Sequence, residues 1–416
     1  MHKKETSQVV DHFFRHEYGR VTAFLIRKFG SDHLELIEDA VQESLFKAMQ
    51  SWPFSGIPQN PSGWITRSAQ NKLIDDLRRI QRFDQKAKVI LNETEKEELP
   101  DDVHLQTELK DDLLRMMFAC CRPEISEEYQ IILVLKILCG FSNQEIALAL
   151  FKSEDAVAKA YMRSKDKLKE TGFLEQVPTG HELNNRLENL LRIIYLLFNE
   201  GYKASHGQSL IRKDLCFEAI RLTSHVLDHT PFPSHHANSL MALMHFQASR
   251  FESRISEEGM LLTLKEQDRG KWDRELIAKG LRHLDKAAEA NVISEYYLQA
   301  GIAAIHCFAS DFESTSWKNI LRLYDLLLKI NPSRIVALNR VVAAAKVNGT
   351  EAAFVELEKL KDEKLESFYL YHAIRADLFS DLNQLDKAKA EYLKASSLAD
   401  NELEINYLNN KAKGLA

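Results

Sequence analysis

The sequence has few of the residues that build disulfide-bonded, zinc-binding or membrane proteins. Only five cysteines occur among 416 residues, none forms a Cys-x-x-Cys pair, and the adjacent Cys120 and Cys121 point in different directions on a helix. We therefore expect reduced, structural thiols and no metal site. No apolar run exceeds six residues, far fewer than the ~20 residues that span a bilayer, and the polar N-terminus predicts no signal peptide. These absences predict a cytoplasmic protein without a membrane partner.

Positive charge is also scarce, since the formal net charge is −6. A nucleic-acid-binding domain is normally basic, but the charge of a whole chain is a poor guide when only short segments touch DNA. The acidity is concentrated between Asn92 and Asp112, a segment that contains nine acidic residues and only two lysines. Such a run is typical of a solvated, mobile linker that repels phosphate.

Apolar residues recur at helical spacing almost everywhere, and no convincing strand period is present. The sequence therefore predicts an all-α fold. We expect helices at residues 21–29, 34–49, 62–82, 113–121, 127–138, 142–150 and 153–170. Prolines and a glycine predict a loop at 51–61, after which Ser62 is expected to cap the next helix. A long helical region follows residue 172.

Residues 139–170 have the pattern of a helix-turn-helix. Ser142 and Glu145 form a capping box, and Ser153 is placed to cap a second helix whose inward face is Val157, Tyr161 and Leu168. This arrangement puts a basic recognition helix into a major groove. The predicted contacts to the DNA duplex are Ser153, Lys159, Arg163, Lys165 and Lys167. The alternative is a helical hairpin with a solvated basic face.

A second constellation lies upstream. Residues 38–49 form an amphipathic helix with an acidic, polar face, and residues 61–79 carry aromatic, amide and basic side chains at helical spacing. Opening DNA costs base stacking, which an aromatic or polar pocket beside a basic track can recover on the exposed strand. Trp64 supplies a flat face and Asn71 an amide for a base edge. An equally good interpretation of Trp64 is that it packs in the protein core as an anchor. Asp75 is expected to have a structural role, in which it binds a neighbouring helix.

Together these segments resemble the two DNA-binding domains of sigma factors of the extracytoplasmic-function group, over residues 8–172. Residues 64–79 match the Trp-Leu-x5-Asn-x3-Asp-x2-Arg-Arg pattern of that group, with Ile65 in place of leucine. The resemblance implies that the promoter −10 element is bound and melted by Trp64, Arg67, Asn71, Lys72, Arg78 and Arg79. It also implies that the loop 53–61 holds an extruded base, and that the polymerase clamp coiled coil meets Asp39, Gln42 and Glu43. At the start of the recognition helix, Lys159-Ala160 replaces the common Gln-Arg pair, so the sequence of the −35 element cannot be carried over.

The C-terminal half continues well beyond such a factor. Residues 324–332 and 388–400 each resemble the closing helix of a tetratricopeptide repeat, and Pro332 and Asp400 lie 68 positions apart, the length of two such repeats. Stacked helix pairs of this kind leave a groove for a protein or a small ligand. A possible interdomain network comprises Asn199, Glu200, Arg212, Asp214, Glu218 and Arg221. The alternative for these six is ordinary surface pairing at helical spacing.

The domains predicted are sigma region 2 at 1–82, an acidic linker at 83–112, a region 4 helix-turn-helix at 113–172 and a regulatory helical-repeat extension at 173–416. The partners expected are the clamp and flap regions of core RNA polymerase, and promoter DNA. No phosphate loop or nucleophile motif is present, and prolines interrupt the histidines at 225–236, so neither an enzyme, a cofactor nor a metal is predicted. Two alternatives remain: a helix-turn-helix repressor or activator that acts without polymerase, and a repeat-based interaction scaffold.

Overall fold

The computed structural model describes residues 2–81, 102–150, 152–171, 180–202, 211–229, 234–290 and 293–415. Contacts divide the chain into two compact units, Met1–Ile194 and Tyr195–Ala416. In the described ranges every regular element is a helix, apart from one isolated bridge between Ile255 and Leu261. The prediction of an all-α fold is confirmed. All five cysteines are buried and free, as expected.

The first unit begins with α1 (His2–Phe29), a 3₁₀ turn (Ser31–His33), α2 (Leu34–Ser55) and α3 (Pro61–Gln81). Helix α2 runs through Pro53 and past its expected end at residue 49, so the loop before α3 is shorter than predicted. The prediction that Ser62 caps α3 is wrong. The Asn60 side chain accepts the Gly63 N–H at 2.9 Å, and Pro61 occupies the first helical position. Proline suits that position because the N–H it lacks would have had no partner within the helix.

Helix α4 (Asp102–Cys120) begins well before the expected start at residue 113. Part of the predicted acidic linker is therefore a helix docked on α1. Asp112 is fully buried and accepts hydrogen bonds of 2.7 Å from Arg27 and from Arg115, while Arg27 also bonds Glu108 at 2.6 Å. Burial is tolerated because these carboxylates have arginine partners. Residues 83–101 of the predicted linker lie outside the described residues.

Helix α5 (Glu127–Leu133) passes into a π-helical turn, Val134–Leu138, in which Cys139 N–H bonds Val134 O at 3.1 Å. Helix α1 approaches this turn closely, since a Cβ added at Gly19 would lie 2.5 Å from Leu138 O. Glycine is the residue that fits such an approach. Gly140, at a φ of 65°, then ends the segment.

Two short helices follow, α6 (Asn143–Leu150) and α7 (Glu154–Thr171). The predicted capping box is confirmed: Ser142 N–H bonds Glu145 Oε2 at 2.8 Å, and Glu145 N–H bonds Ser142 Oγ at 3.1 Å. Ser153 Oγ accepts the Ala156 N–H at 3.2 Å and so caps α7, as predicted. The predicted inward face, Val157, Tyr161 and Leu168, is buried.

The unit boundary falls within α8 (Gly180–Tyr202). The second unit continues with α9 (Lys213–His229), α10 (His235–Ala248), α11 (Arg274–Ala288), α12 (Glu295–Phe308), α13 (Trp317–Ile330), α14 (Arg334–Asn348), α15 (Thr350–Lys359), α16 (Glu363–Glu366), α17 (Tyr369–Asp381), α18 (Leu385–Leu398) and α19 (Glu402–Lys413). Side-chain caps begin several of these helices, namely Asp273, Ser294, Ser333, Asp362 and Asn401. Because helices adjacent in sequence pack on each other, their buried faces form successive cores such as the one around Leu338, Leu357 and Tyr371.

The two repeat-like segments lie on α13 and α18, each of which packs against a neighbouring helix in sequence. Their assignment to tetratricopeptide repeats stays a prediction. Among the described residues, no helix combines the length and the apolar content needed to cross a bilayer.

Candidate nucleic-acid interface

Helix α3 presents most of the predicted strand-binding residues to solvent. Arg67, Asn71 and Arg78 are exposed along one stripe of the helix, and Arg79 is exposed beside them. Arg78 lies 3.6 Å from Asp75, and Arg79 lies 3.8 Å from Asp76. The Arg78–Asp75 pair is exposed and contributes little, and at 3.8 Å Arg79 is only loosely paired with the buried Asp76, so both guanidinium groups can exchange these partners for phosphate.

Trp64 occupies an intermediate position. It is half-buried, and its ring meets the ring of Trp52 edge-on at 5.6 Å between centroids. One part of the indole therefore packs on α2 and another part is accessible. Both interpretations of Trp64, core anchor and stacking surface, describe part of this geometry.

Lys72 was predicted to bind promoter DNA and Glu43 to bind polymerase, yet the two side chains bind each other. Lys72 Nζ lies 3.1 Å from Glu43 and 3.4 Å from Asp76. Hydrogen bonds from Lys47 and Lys72 lower the pKa of Glu43, and bonds to Glu43 and Asp76 raise the pKa of Lys72. The pair joins α2 to α3, a contact that spacing along one helix cannot show.

The outer face of α2 combines the predicted polar residues with unexpected apolar ones. Asp39 and Gln42 are exposed, and Phe46 and Met49 follow them at helical spacing, 58% and 49% exposed. Gln42, Phe46 and Met49 border a groove of about 630 Å³, which is also lined by Lys136 and Glu145. Sequence reasoning missed Phe46 and Met49, although apolar residues on the polar face of an amphipathic helix were the available signal.

Two further apolar side chains stand at the end of α2 and in the short loop. Phe54 is 93% exposed and Ile57 is 72% exposed. Both fall in the loop 53–61 that was predicted to hold an extruded base. Exposed large apolar groups beside a basic helix are suited to contact an unstacked base.

Helix α7 presents a separate basic stripe. Lys159, Arg163 and Lys167 are exposed at intervals of four residues, the spacing of one helix face. Ser153 is exposed, but its hydroxyl is engaged as the cap of α7. The stripe is the part of the structure best suited to a duplex groove.

The predicted exposure of Lys165 is wrong. Lys165 is 5% exposed, and its Nζ lies 3.0 Å from Glu35 and 3.9 Å from Glu38 of α2. It shares the helix face of Tyr161 and Leu168, four residues after the first and three before the second. The helical spacing from Tyr161 and Leu168 would have predicted that Lys165 is buried. In the structure Lys165 belongs to the contact between α7 and α2.

Glu38 is the centre of that contact. Its Oε1 accepts hydrogen bonds from Tyr161 at 2.6 Å and from Tyr18 at 3.1 Å, and the carboxylate is buried. Burial raises the pKa of Glu38, although the two hydroxyls and Lys165 act in the opposite direction. We call Glu35, Glu38, Tyr161 and Lys165 the α2–α7 latch.

The stability of the first unit should depend on pH through Glu38. Because its pKa is raised, the folded chain holds a proton that the unfolded chain releases. This contribution is complete below the ordinary pKa of 4.5 and is lost as the pH rises through the raised value. Glu38→Gln should flatten the dependence of the melting temperature on pH between about pH 4 and about pH 7, measured by circular dichroism.

Glu43→Gln is the matched control, because the pKa of Glu43 is lowered by Lys47 and Lys72 and its effect on the slope has the opposite sign. Identical pH profiles for wild type and Glu38→Gln would show that burial does not raise the pKa of Glu38 in the folded chain.

The six residues of the predicted interdomain network all lie in the second unit. Glu218 is buried and bonds Arg221 at 2.8 Å, and Arg212 lies 3.0 Å from Asp214. Asn199 bonds the Tyr195 hydroxyl, and Glu200 is half-buried. These contacts join residues that are close in sequence, as the alternative of ordinary surface pairing predicts. That the six residues connect two domains stays a prediction.

The histidines do not assemble a metal site in the part of the chain that is described, where no group of three or more His, Cys, Asp or Glu side chains could hold an ion. His225 and His229 stack on each other instead, with ring centroids 4.3 Å apart.

Residues 13–83 match the Sigma-70 region 2 family, and residues 186–288 match a family of unknown function, DUF6596. An uncharacterized protein of Rhizobium meliloti (strain 1021) is 35% identical over 399 residues, covering 94% of this chain and 92% of that protein. A crystal structure of a tetratricopeptide repeat protein from Parabacteroides merdae ATCC 43184 is similar at a TM-score of 0.35 and 13% identity, over 65% of this chain and 99% of that one.

The region 2 match covers α2, the loop and α3, and the basic stripe of α7 lies outside it. The chain belongs to one family with the rhizobial protein, and its residues 13–83 match a Sigma-70 region 2 domain, which supports a sigma-70 family factor. Factors of this family act with core RNA polymerase at promoter DNA.

Proposed function

We propose that this protein is an initiation factor of the extracytoplasmic-function type, whose α3 holds the melted −10 strand and whose α7 reads the −35 duplex. The observation that carries this proposal is the pair of separate exposed stripes on one chain. One combines Arg67, Asn71 and Arg78, and the other combines Lys159, Arg163 and Lys167. The first offers an amide between two cations, which suits a base on an opened strand, and the second offers cations alone, which suits a phosphate track.

The proposed polymerase surface is the outer face of α2. Asp39 and Gln42 are exposed there beside Phe46 and Met49. Acidic groups orient the approach of a basic partner, and exposed apolar groups supply area that is buried on binding. The clamp coiled coil is the partner that the resemblance implies.

The α2–α7 latch adds a condition. Elements at −10 and −35 are about 25 base pairs apart, roughly 85 Å along B-DNA. Tracing the chain of contacts from Asn71 through the Lys72–Glu43 pair, along α2 and across the Tyr161–Glu38 bond to Arg163 gives less than about 50 Å, given ~1.5 Å of rise per helical residue. We infer that the latch opens before both elements are bound.

The second unit is proposed to regulate the factor from within the same chain. Its successive helix pairs suit a tetratricopeptide-like stack with a groove for a protein or a small ligand. The helical region 186–288 matches a family of its own, which supports a dedicated domain in place of a disordered tail.

The proposal is tested by reconstituted transcription with core polymerase on genomic fragments. Asn71→Ala combined with Arg78→Ala should reduce initiation about 10- to 100-fold, since a base-edge contact and a phosphate contact are each worth about 1 kcal/mol or more. Binding to core polymerase should persist, as α2 is untouched.

The control is Asn319→Ala combined with Arg322→Ala, the same changes at exposed positions of α13. Duplex binding without any complex with core polymerase would favour a repressor or activator. A protein that binds neither DNA nor polymerase would favour a scaffold. Either result, or unchanged initiation by the double variant, contradicts the proposal.

A further inference from the structure

The second unit contains a pocket of about 450 Å³ enclosed by α8, α10, α12, α13 and α14. One part of its wall is apolar, including Leu243, Ile302 and Leu327, and another part carries amides and hydroxyls. Its volume lies in the range of pockets that take small organic ligands, about 300–1,000 Å³.

The charge of the wall is positive. Arg250 is its one ionised side chain at neutral pH, since no aspartate or glutamate lines the pocket and burial lowers the pKa of His306 to about 4. Arg250 donates to the Tyr202 hydroxyl and lies against the rings of Tyr202 and Trp272, at 5.9 and 5.8 Å from the centroids. It forms no ion pair with a carboxylate within the described ranges. Glu295, which lies outside the lining, accepts a hydrogen bond from the wall residue Asn331 at 2.8 Å.

We propose that this pocket binds a small carboxylic acid with an apolar side chain, with its carboxylate on Arg250 and its side chain against Ile302 and Leu327. A guanidinium flanked by aromatic rings is a geometry that recognises carboxylates. The same chemical group occurs free and at the C-terminus of a peptide. This binding does not depend on the proposed role in transcription.

The test is calorimetric titration of the full chain with N-acetylphenylalanine, N-acetylleucine and a tripeptide ending in phenylalanine. Each probe is compared with its primary amide, in which the charge is removed. We expect the carboxylates to bind at least about 10-fold more tightly than the amides. Tighter binding of the tripeptide would identify a peptide terminus as the source, and tighter binding of the acetylated amino acids would identify a free metabolite.

Two variants make the assignment specific. Arg250→Gln should abolish the preference for carboxylate, and Ala303→Phe should block the pocket without touching the arginine. Arg322→Gln, an equal charge change at an exposed position outside the pocket, should bind like the wild type. Circular dichroism establishes that each variant is folded, and Ala303→Phe still tests the pocket if Arg250→Gln is not.

Equal binding of acids and amides, binding that survives Ala303→Phe, or no binding of any probe at about 10 mM would overturn the inference.

Discussion

Replacing Lys159, Arg163 and Lys167 together by alanine is expected to weaken binding of the polymerase complex to promoter duplex by roughly 100-fold near physiological salt. The three side chains are exposed on one stripe of α7, so each can neutralise one phosphate. Each lost contact removes about 0.9 from the slope of log affinity against log salt, so the slope should fall by about 3. Fluorescence anisotropy at several salt concentrations measures both quantities.

The matched control replaces Lys265, Lys286 and Lys318, which are exposed in the second unit and carry the same total charge. If affinity depended on net charge alone, this control would lose as much as the α7 variant. An unaltered slope for the triple variant would exclude α7 from the phosphate contacts.

Local signals in the sequence predicted local structure well. The capping box of Ser142 and Glu145 and the cap at Ser153 need only neighbouring residues, and both form as expected. Asn60 was overlooked as a cap because Ser62 has the same hydrogen-bonding capacity two residues later. Which of the two residues caps the helix depends on the backbone conformation with which the chain enters it, and the residue types alone do not determine that conformation.

Distant partners account for most of what the sequence could not show. The acidic run was interpreted as a linker because its nine acidic residues far outnumber the two lysines among them, whereas Arg27, 85 positions away from Asp112, supplies a further partner. Lys165 was placed on the DNA-binding face for its charge, and its partner Glu35 lies 130 positions away. Charge alone specifies that a partner is needed, and only the fold specifies which one.

The candidate sites were predicted in part for the same reason. The exposed stripes of α3 and α7 follow from helical spacing, which the sequence contains. The pairing of Lys72 with Glu43, and the apolar Phe46 and Met49 beside Gln42, depend on how α2 packs against its neighbours. The wall of the pocket in the second unit draws on five helices, and no single segment carries its pattern.

Holding the α2–α7 latch closed should suppress initiation by more than about 10-fold, because the closed unit cannot span two elements roughly 85 Å apart. Glu35 is exposed on α2, and its pKa is lowered chiefly by the hydrogen bond and charge of Lys165 and in addition by the charge of Lys169, which therefore lies near it on α7. Glu35→Cys combined with Lys169→Cys therefore places two thiols across the contact. A bis-maleimide with a disulfide in its spacer would join them, and reductant would release them. Transcription from a promoter is measured before joining, after joining and after reduction.

The native thiols should not compete for the reagent. All five are buried, and burial raises the pKa of Cys120, Cys216 and Cys307, which suppresses their reactive thiolates. Each single-cysteine variant treated with the reagent controls for modification alone. A pair at Asn319 and Arg322, joined within α13, controls for the spacer itself. If the joined protein initiates as well as the reduced one, α2 and α7 stay together on the promoter and the requirement for opening is wrong. If joining suppresses initiation and reduction restores it, separation of the two helices is a step in promoter binding.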